Sequence, residues 1–321
     1  VMKQTWVVVF LLASSLINPL KASAQQSRAE ALLQDMSKAV QTLDYEFGFI
    51  ILGQQFLVPL RYRHAIIDGQ VIAQIIQMDG SRREIIQRGD QISYYEPGLD
   101  SFSIRSTHIV DYLPPIIFAD FTQLQNFYRF IDAGSTHVGD HPVNFVRIIS
   151  KDKSRYNYNL LIDEKNHLPL LIDLLDKDNK TVIEQFRVVS STVNGDVKTA
   201  LNAITDLKLP PMLLISPANK LKFNWRVAEM PEGFKEISRN SGKISETEWL
   251  ESIMYSDGLF NFSVNVVNSG TKVVDGPPFR QGRRTVYTLT GDKHSITVIG
   301  ELPFATAERI AASVMFTGEK N

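Results

Sequence analysis

The feature that most restricts what this chain can fold into is a change of period at Tyr45. Before it, Leu32, Leu33, Met36, Val40 and Leu43 recur at helical spacing, and polar Gln34, Asp35, Lys38 and Gln41 fill the opposite face. Ser27 with Glu30 three residues on has the form of a capping box, so a helix is expected over residues 27–43. After it, Tyr45, Phe47, Phe49 and Ile51 alternate with less constrained positions. Strand-like runs follow at 56–67, 71–78, 83–88 and 91–95, separated by Asp79-Gly80, Gly89-Asp90 and Glu96-Pro97-Gly98. The stretch 111–128 holds Pro114-Pro115 and a short helical pattern suited to a plug or lid. Strands resume at 130–137, 142–150, 155–163, 168–175 and 182–190. A curved antiparallel sheet that buries helices on its concave face fits this order, which makes the fold class α+β.

Paired prolines at Pro210-Pro211, then Ser216-Pro217, interrupt any regular structure, so 206–220 reads as a linker and the natural hinge. It divides a large domain, 25–205, from a smaller α+β domain, 221–321, which is expected to close with a helix over 303–316. A length of 321 residues suits two cores better than one.

Residues 1–24 have the order of a secretory signal peptide: Lys3, an apolar run from Trp6 to Leu16, then Ala22-Ser23-Ala24 as a small-residue cleavage signature. The run is too short for a membrane span, and a soluble periplasmic product is expected. The chain has no cysteine, which removes disulfides, thiol catalysis and thiolate metal sites.

The formal net charge is −1. Residues 25–219 carry 19 basic against 23 acidic side chains, and residues 220–321 carry 13 against 12. Neither part has the positive excess that nucleic-acid binding requires. Hydrolase, metalloprotease and nucleotide-binding motifs do not occur, so no enzyme and no cofactor is expected. His137 and His141 straddle Gly139 across a turn rather than sharing a helical face, so a metal pair is not expected. The aromatics Phe47, Phe49, Phe118, Phe121 and Phe127 are either a large core or the lining of an apolar cavity for an acyl chain. Arg280, Arg283 and Arg284 are either a solvated rim or a docking site for an acidic peptide or phosphorylated head group.

Several segments resemble one family along the whole of residues 25–321, in order. They include Leu60-Arg61-Tyr62-Arg63-His64-Ala65, Ile92-Ser93-Tyr94-Tyr95-Glu96-Pro97-Gly98-Leu99 and Tyr255-Ser256-Asp257-Gly258-Leu259-Phe260. Gly282-Arg283-Arg284-Thr285-Val286 and Ile299-Gly300-Glu301-Leu302-Pro303 belong to the same set. The chain thereby resembles the RseB/MucB family of periplasmic regulators. The resemblance implies a LolA/LolB-like half-open β-barrel enclosing helices, with a small domain docked on it. It implies binding to the periplasmic domain of the anti-sigma factor RseA, shielding from the site-one protease DegS, release by lipopolysaccharide or another lipid, and self-association into a homo-oligomer. A lipid or lipoprotein carrier is the alternative. Within that frame the partner-contact candidates are Tyr255, Phe260, Phe262, Arg283 and Arg284, and the lipid-contact candidates are Phe47, Phe49, Phe118, Phe121 and Phe127.

Overall fold

A computed structural model describes residues 19–53, 57–193, 196–213, 221–246, 248–268, 277–291 and 294–317, with side chains from residue 25 onward. Most of the expected signal peptide (1–18), Phe56, the second half of the expected linker (214–220) and residues 292–293 lie outside the described residues.

The first element is a helix, α1 (Pro19–Thr42). Its described part already runs for eight residues before Ser27, so Ser27 lies inside the helix and the expected capping box is not its start. Leu, Lys, Ala and Gln before Ser27 are good helix formers, which carries the helix through this position. Six strands follow: β1 (Tyr45–Leu52), β2 (Pro59–Ile67), β3 (Gln70–Gln77), β4 (Glu84–Arg88), β5 (Gln91–Tyr95) and β6 (Phe102–Arg105). A 3-10 turn (Pro115–Phe118) and a single-turn helix, α2 (Phe121–Leu124), come next. The Asp120 side chain caps α2 by accepting from the Thr122 and Gln123 amides. Then come β7 (Tyr128–Val138), β8 (His141–Ser150), β9 (Asn157–Asp163), β10 (Pro169–Leu175) and β11 (Val182–Val193).

These eleven strands form one antiparallel sheet in the order β6-β5-β4-β3-β2-β1-β11-β10-β9-β8-β7. Sequential neighbours pair as hairpins, and the β1–β11 pairing joins the two halves. The two edge strands, β6 and β7, do not pair, so the sheet is open. Alternation decides its faces. Phe47, Phe49, Leu60, Tyr62, Ile75 and Ile85 point into one continuous core with α1, the 3-10 turn and α2. The opposite face is covered in part by α3 (Val197–Thr205), a helix absent from the sequence reading. Its Val197, Leu201 and Ile204 pack on Ala65, Ile72 and Ile86.

The chain leaves α3 pinned rather than free. Arg88 donates to the carbonyls of Thr205 (2.8 Å) and Leu207 (2.9 Å). The Ser103 amide on β6 donates to the Pro211 carbonyl (2.9 Å), and the Leu213 amide donates to the Ser103 carbonyl (2.7 Å). Residues 207–213 therefore strap the exposed edge of the large sheet, where unpaired backbone groups would otherwise face solvent.

The second sheet has six strands in the order β13-β14-β15-β18-β17-β16. They are β13 (Lys235–Lys243), β14 (Trp249–Ser256), β15 (Asn261–Asn268), β16 (Phe279–Gln281), β17 (Arg284–Thr290) and β18 (His294–Gly300). Helix α4 (Phe304–Ala312) covers β17 and β18. The closing helix is thus shorter than the sequence suggested. Ser313 ends it, and β19 (Val314–Phe316) leaves to pair with β12 (Trp225–Val227).

His64 illustrates how a polar residue is carried in this core. It is buried, stacks on Tyr45 and holds the Leu43 carbonyl at Nδ1, 2.8 Å away. Burial lowers its pKa, against smaller opposing effects of the Leu43 carbonyl and the Asp44 carboxylate. A folded-state pKa below the unfolded one stabilises the fold above the unfolded value, and that stability is lost as pH falls through the folded one. The urea midpoint is therefore expected to fall as pH drops below about 6.5. His64→Gln should flatten that slope, leaving a remainder from His108, whose pKa burial also lowers. An identical slope in the variant would show that His64 does not contribute.

Candidate functional site

The two sheets meet around Arg155, just before β9. Its side chain is 1% exposed, and that of its partner Asp257 is 0% exposed. Arg155 Nε donates to Asp257 Oδ2 at 2.6 Å. Its Nη1 donates to Asp152 Oδ2 (3.1 Å) and Ser154 Oγ (3.0 Å), and its Nη2 donates to the Glu232 carbonyl. Three rings surround the guanidinium, Phe127 and Tyr128 from one side of the interface and Phe234 from the other, at 5.3, 5.8 and 4.7 Å. This geometry suits a planar cation with five fixed donors. Gly233, at φ +92°, lets the backbone pass close over the Phe127 ring.

Beside this pair, Phe260 inserts between two large-domain tyrosines. It lies edge-on to Tyr156 and parallel to Tyr158, each with a centroid distance of 5.8 Å. Tyr156 Oη donates to the Leu302 carbonyl at 2.6 Å. At the rim, Arg280 Nη1 reaches Asp176 Oδ2 at 2.9 Å, joining β16 to the β10–β11 turn. A cleft of about 570 Å³ opens between this hairpin and the large sheet. Ile51, Val58, Leu60 and Tyr112 form its apolar wall, and Arg83, Arg283 and Arg284 form its basic one. Among the described residues no cluster of three metal-ligating side chains occurs, and no helix is long and apolar enough to cross a membrane.

Two sequence profiles match this two-sheet chain. The MucB/RseB N-terminal domain covers residues 28–213, and the MucB/RseB C-terminal domain covers residues 219–315. The chain belongs to the MucB/RseB family. It is 44% identical to the sigma-E factor regulatory protein RseB of Salmonella typhimurium, over 98% of this chain and 99% of that one. The RseB of Escherichia coli K12 is 43% identical over the same shares. The sigma factor AlgU regulatory protein MucB of Pseudomonas aeruginosa is 27% identical, over 77% of this chain and 78% of that one. A crystal structure of MucB in complex with MucA(peri) superimposes with a TM-score of 0.70 at 23% identity, covering 91% of this chain and all of that one. That likeness establishes a shared two-sheet fold.

Within this MucB/RseB fold, the residues expected from sequence to touch ligands fall into three places. Phe260 and Phe262 are buried, Phe260 against Tyr156 and Tyr158, and Phe262 against Phe234 and Tyr255. In this arrangement Phe260 serves the chain's own interface, whereas Phe262 and the nearly as buried Tyr255 pack within the small domain. Arg283 and Arg284 line the cleft, where Arg283 Nε also meets Glu301 Oε1 at 2.8 Å. Phe47, Phe49 and Phe121 are close-packed core. Phe118 stacks on His108, and Phe127 lies under Arg155. The Arg155–Asp257 pair was missed, because its partners are 102 residues apart, Arg155 reads locally as the start of a strand and Asp257 as turn chemistry.

Proposed function

We propose that this chain is a negative regulator of an envelope-stress (sigma-E) response and acts in the periplasm. It binds the periplasmic segment of a membrane-spanning anti-sigma factor of the RseA kind, and shields that segment from the first proteolytic cut. The observation that carries this reading is similarity to RseB over both domains and nearly the full length of both chains. The complex of the family member MucB with MucA(peri) supports the choice of partner.

The mechanism is steric. A disordered segment that is ordered on a folded surface is denied to a protease. Release by lipopolysaccharide or a mislocalised lipid requires that the lipid bind one arrangement of the chain better than another. The interface around Arg155 supplies two candidate arrangements, docked and undocked. Undocking would bare Phe260, and with it a surface for either ligand. The division of labour we favour is a lipid-sensing large domain, a LolA/LolB-like half-open barrel, and a partner-binding small one. The regulatory names of the relatives support a non-enzymatic role. The carrier alternative needs an empty chamber among Phe47, Phe49 and Phe121, where the core is filled.

The test is a pull-down of residues 25–321 with the periplasmic segment of the anti-sigma factor, with and without lipopolysaccharide. Binding that the lipid abolishes is expected. Absence of binding in both conditions would remove the regulator reading.

A further inference from the structure

The junction between the two sheets is short of positive charge at one point. Arg283, in the turn between β16 and β17, meets Glu301 with both side chains largely buried, 21% and 10% exposed. Glu184 reaches the same turn from β11 of the large sheet: a Cβ added at Gly282 would lie 3.6 Å from its Oε2. Glu184, Arg283 and Tyr158 wall one small recess. The carboxylates of Glu301, Glu184 and Asp111 all favour the charge on Arg283. Two nearby arginines are engaged elsewhere, Arg83 with Glu96 and Arg280 with Asp176. Arg284 is close enough to act on Glu301 but is itself exposed. Outside those pairs, three carboxylates face two arginines. Of the neighbouring phenols, Tyr156 is committed to the Leu302 carbonyl, and Tyr158 lies against Phe260.

Glu301 carries the cost of this imbalance. Its Oε1 takes the Arg283 guanidinium at 2.8 Å, but its Oε2 is buried and meets no hydrogen-bond partner among the described residues. An oxygen in that position is much more costly charged than neutral. Burial raises the pKa of Glu301, and Glu184 adds to the rise; Arg283 and Arg284 oppose it without cancelling it. Glu184 and Tyr158 belong to the large sheet, so the repulsion from one and the cover from the other exist only while the sheets are docked. Undocked, Glu301 keeps Arg283 and gains water.

We propose that docking of the two sheets takes up a proton at Glu301, so that mild acid tightens the docked arrangement. A carboxyl whose pKa rises on docking contributes stabilisation that is full below its undocked value and is lost as pH rises through its docked value. The window therefore opens at the ordinary glutamate value of 4.5 and extends upward. Within it the docking constant changes by at most about tenfold per pH unit, because one proton is involved. The sign is opposite to that of His64, so acid weakens the core of the large sheet while it tightens the junction. The proposal rests on the docked and undocked arrangements and not on the identity of the partner, which the test omits.

The test uses residues 25–321 with carboxyl-labelled glutamate, whose Glu301 signal is identified by its loss in Glu301→Gln and followed by NMR through an acid titration. The midpoint is expected above 4.5 in the wild type and lower in Glu184→Gln, because that variant removes the repulsion from across the junction. Urea denaturation from about pH 5 to about pH 8 gives a second reading. The histidine contributions are common to wild type and Glu301→Gln and cancel in their difference, so the wild type should lose stability relative to the variant as pH rises. A Glu301 midpoint at or below 4.5 would overturn the proposal. So would a raised midpoint that Glu184→Gln leaves unchanged, since the proton would then belong to the small sheet alone. A stability difference independent of pH would overturn it as well. Should Glu301→Gln fail to fold, sequential assignment identifies the signal, and the titrations of the wild type and Glu184→Gln decide.

Discussion

Arg155→Met is expected to destabilise the chain by about 3–5 kcal/mol, the range for removing one partner of a buried ion pair. The cause is Asp257, which is left in the interface with no cation. Its Oδ1 still accepts from the Leu259 and Phe260 amides at 2.9 and 2.8 Å, so its desolvation remains partly compensated and the lower half of the range applies. The Glu232 carbonyl and the Asp152 carboxylate also lose a donor. Methionine keeps much of the apolar contact with Phe127, Tyr128 and Phe234, so the measured loss reports mainly on charge and hydrogen bonding. Arg155→Met combined with Asp257→Asn is expected to recover a large part of the loss, because a neutral amide keeps the two turn hydrogen bonds without stranding a charge. Urea denaturation of the wild type, both single variants and the double variant forms the cycle that isolates this coupling. A single variant within about 0.5 kcal/mol of wild type, the range of ordinary surface changes, would show that the pair does not hold the sheets together.

Much of the large sheet was legible from residue pattern, because its strands alternate cleanly and are bounded by turns such as Asp79-Gly80. The short elements were not. β16 and β19 have three residues each, and such strands exist only because a partner is present. Val314-Met315-Phe316 shows this: its apolar residues continue the stripe of α4, yet pairing with Trp225–Val227 takes them out of the helix. Helix α3 carried a signal that was available, Val197, Leu201 and Ile204 at helical spacing, but its nine residues sit against a proline-rich segment and were absorbed into the end of the domain. The strap of 207–213 along β6 had no local signature, since its prolines contribute carbonyls to a pairing with residues more than 100 positions away.

The candidate site divides along the same line. Aromatic residues of the small domain are among the partner-contact candidates, and such side chains are enriched at interfaces. Phe260 does lie at an interface, but it is the one between the two sheets of the same chain, while Tyr255 and Phe262 stack on each other inside the small domain. Sequence identifies residues suited to an apolar contact without saying which surface completes it. The arginines differ, because a charged side chain beside a cleft stays partly solvated, and Arg283 and Arg284 do line one.

Phe260→Ala should separate those two ideas, with an expected loss of about 3–5 kcal/mol, the usual cost of emptying a buried phenylalanine site. Phe49→Ala should cost a similar amount, since Phe49 is also fully buried, against Phe186. The difference lies in where the loss is felt. Phe49 packs within the large sheet, so its removal weakens that sheet itself. Phe260 is held by its own turn through Asp257, while its ring faces Tyr156 and Tyr158 across the interface. Removing it should weaken docking more than it weakens either sheet. Thermal unfolding of Phe260→Ala is therefore expected to broaden or split into two transitions. Unfolding of Phe49→Ala should instead lower the large sheet's contribution and leave no extra sensitivity at the junction. One sharp transition in Phe260→Ala, shifted as in Phe49→Ala, would mean that the two sheets unfold as a single unit and that docking is not a separable equilibrium. A lipid signal would then have to act without undocking, by changing the docked arrangement itself.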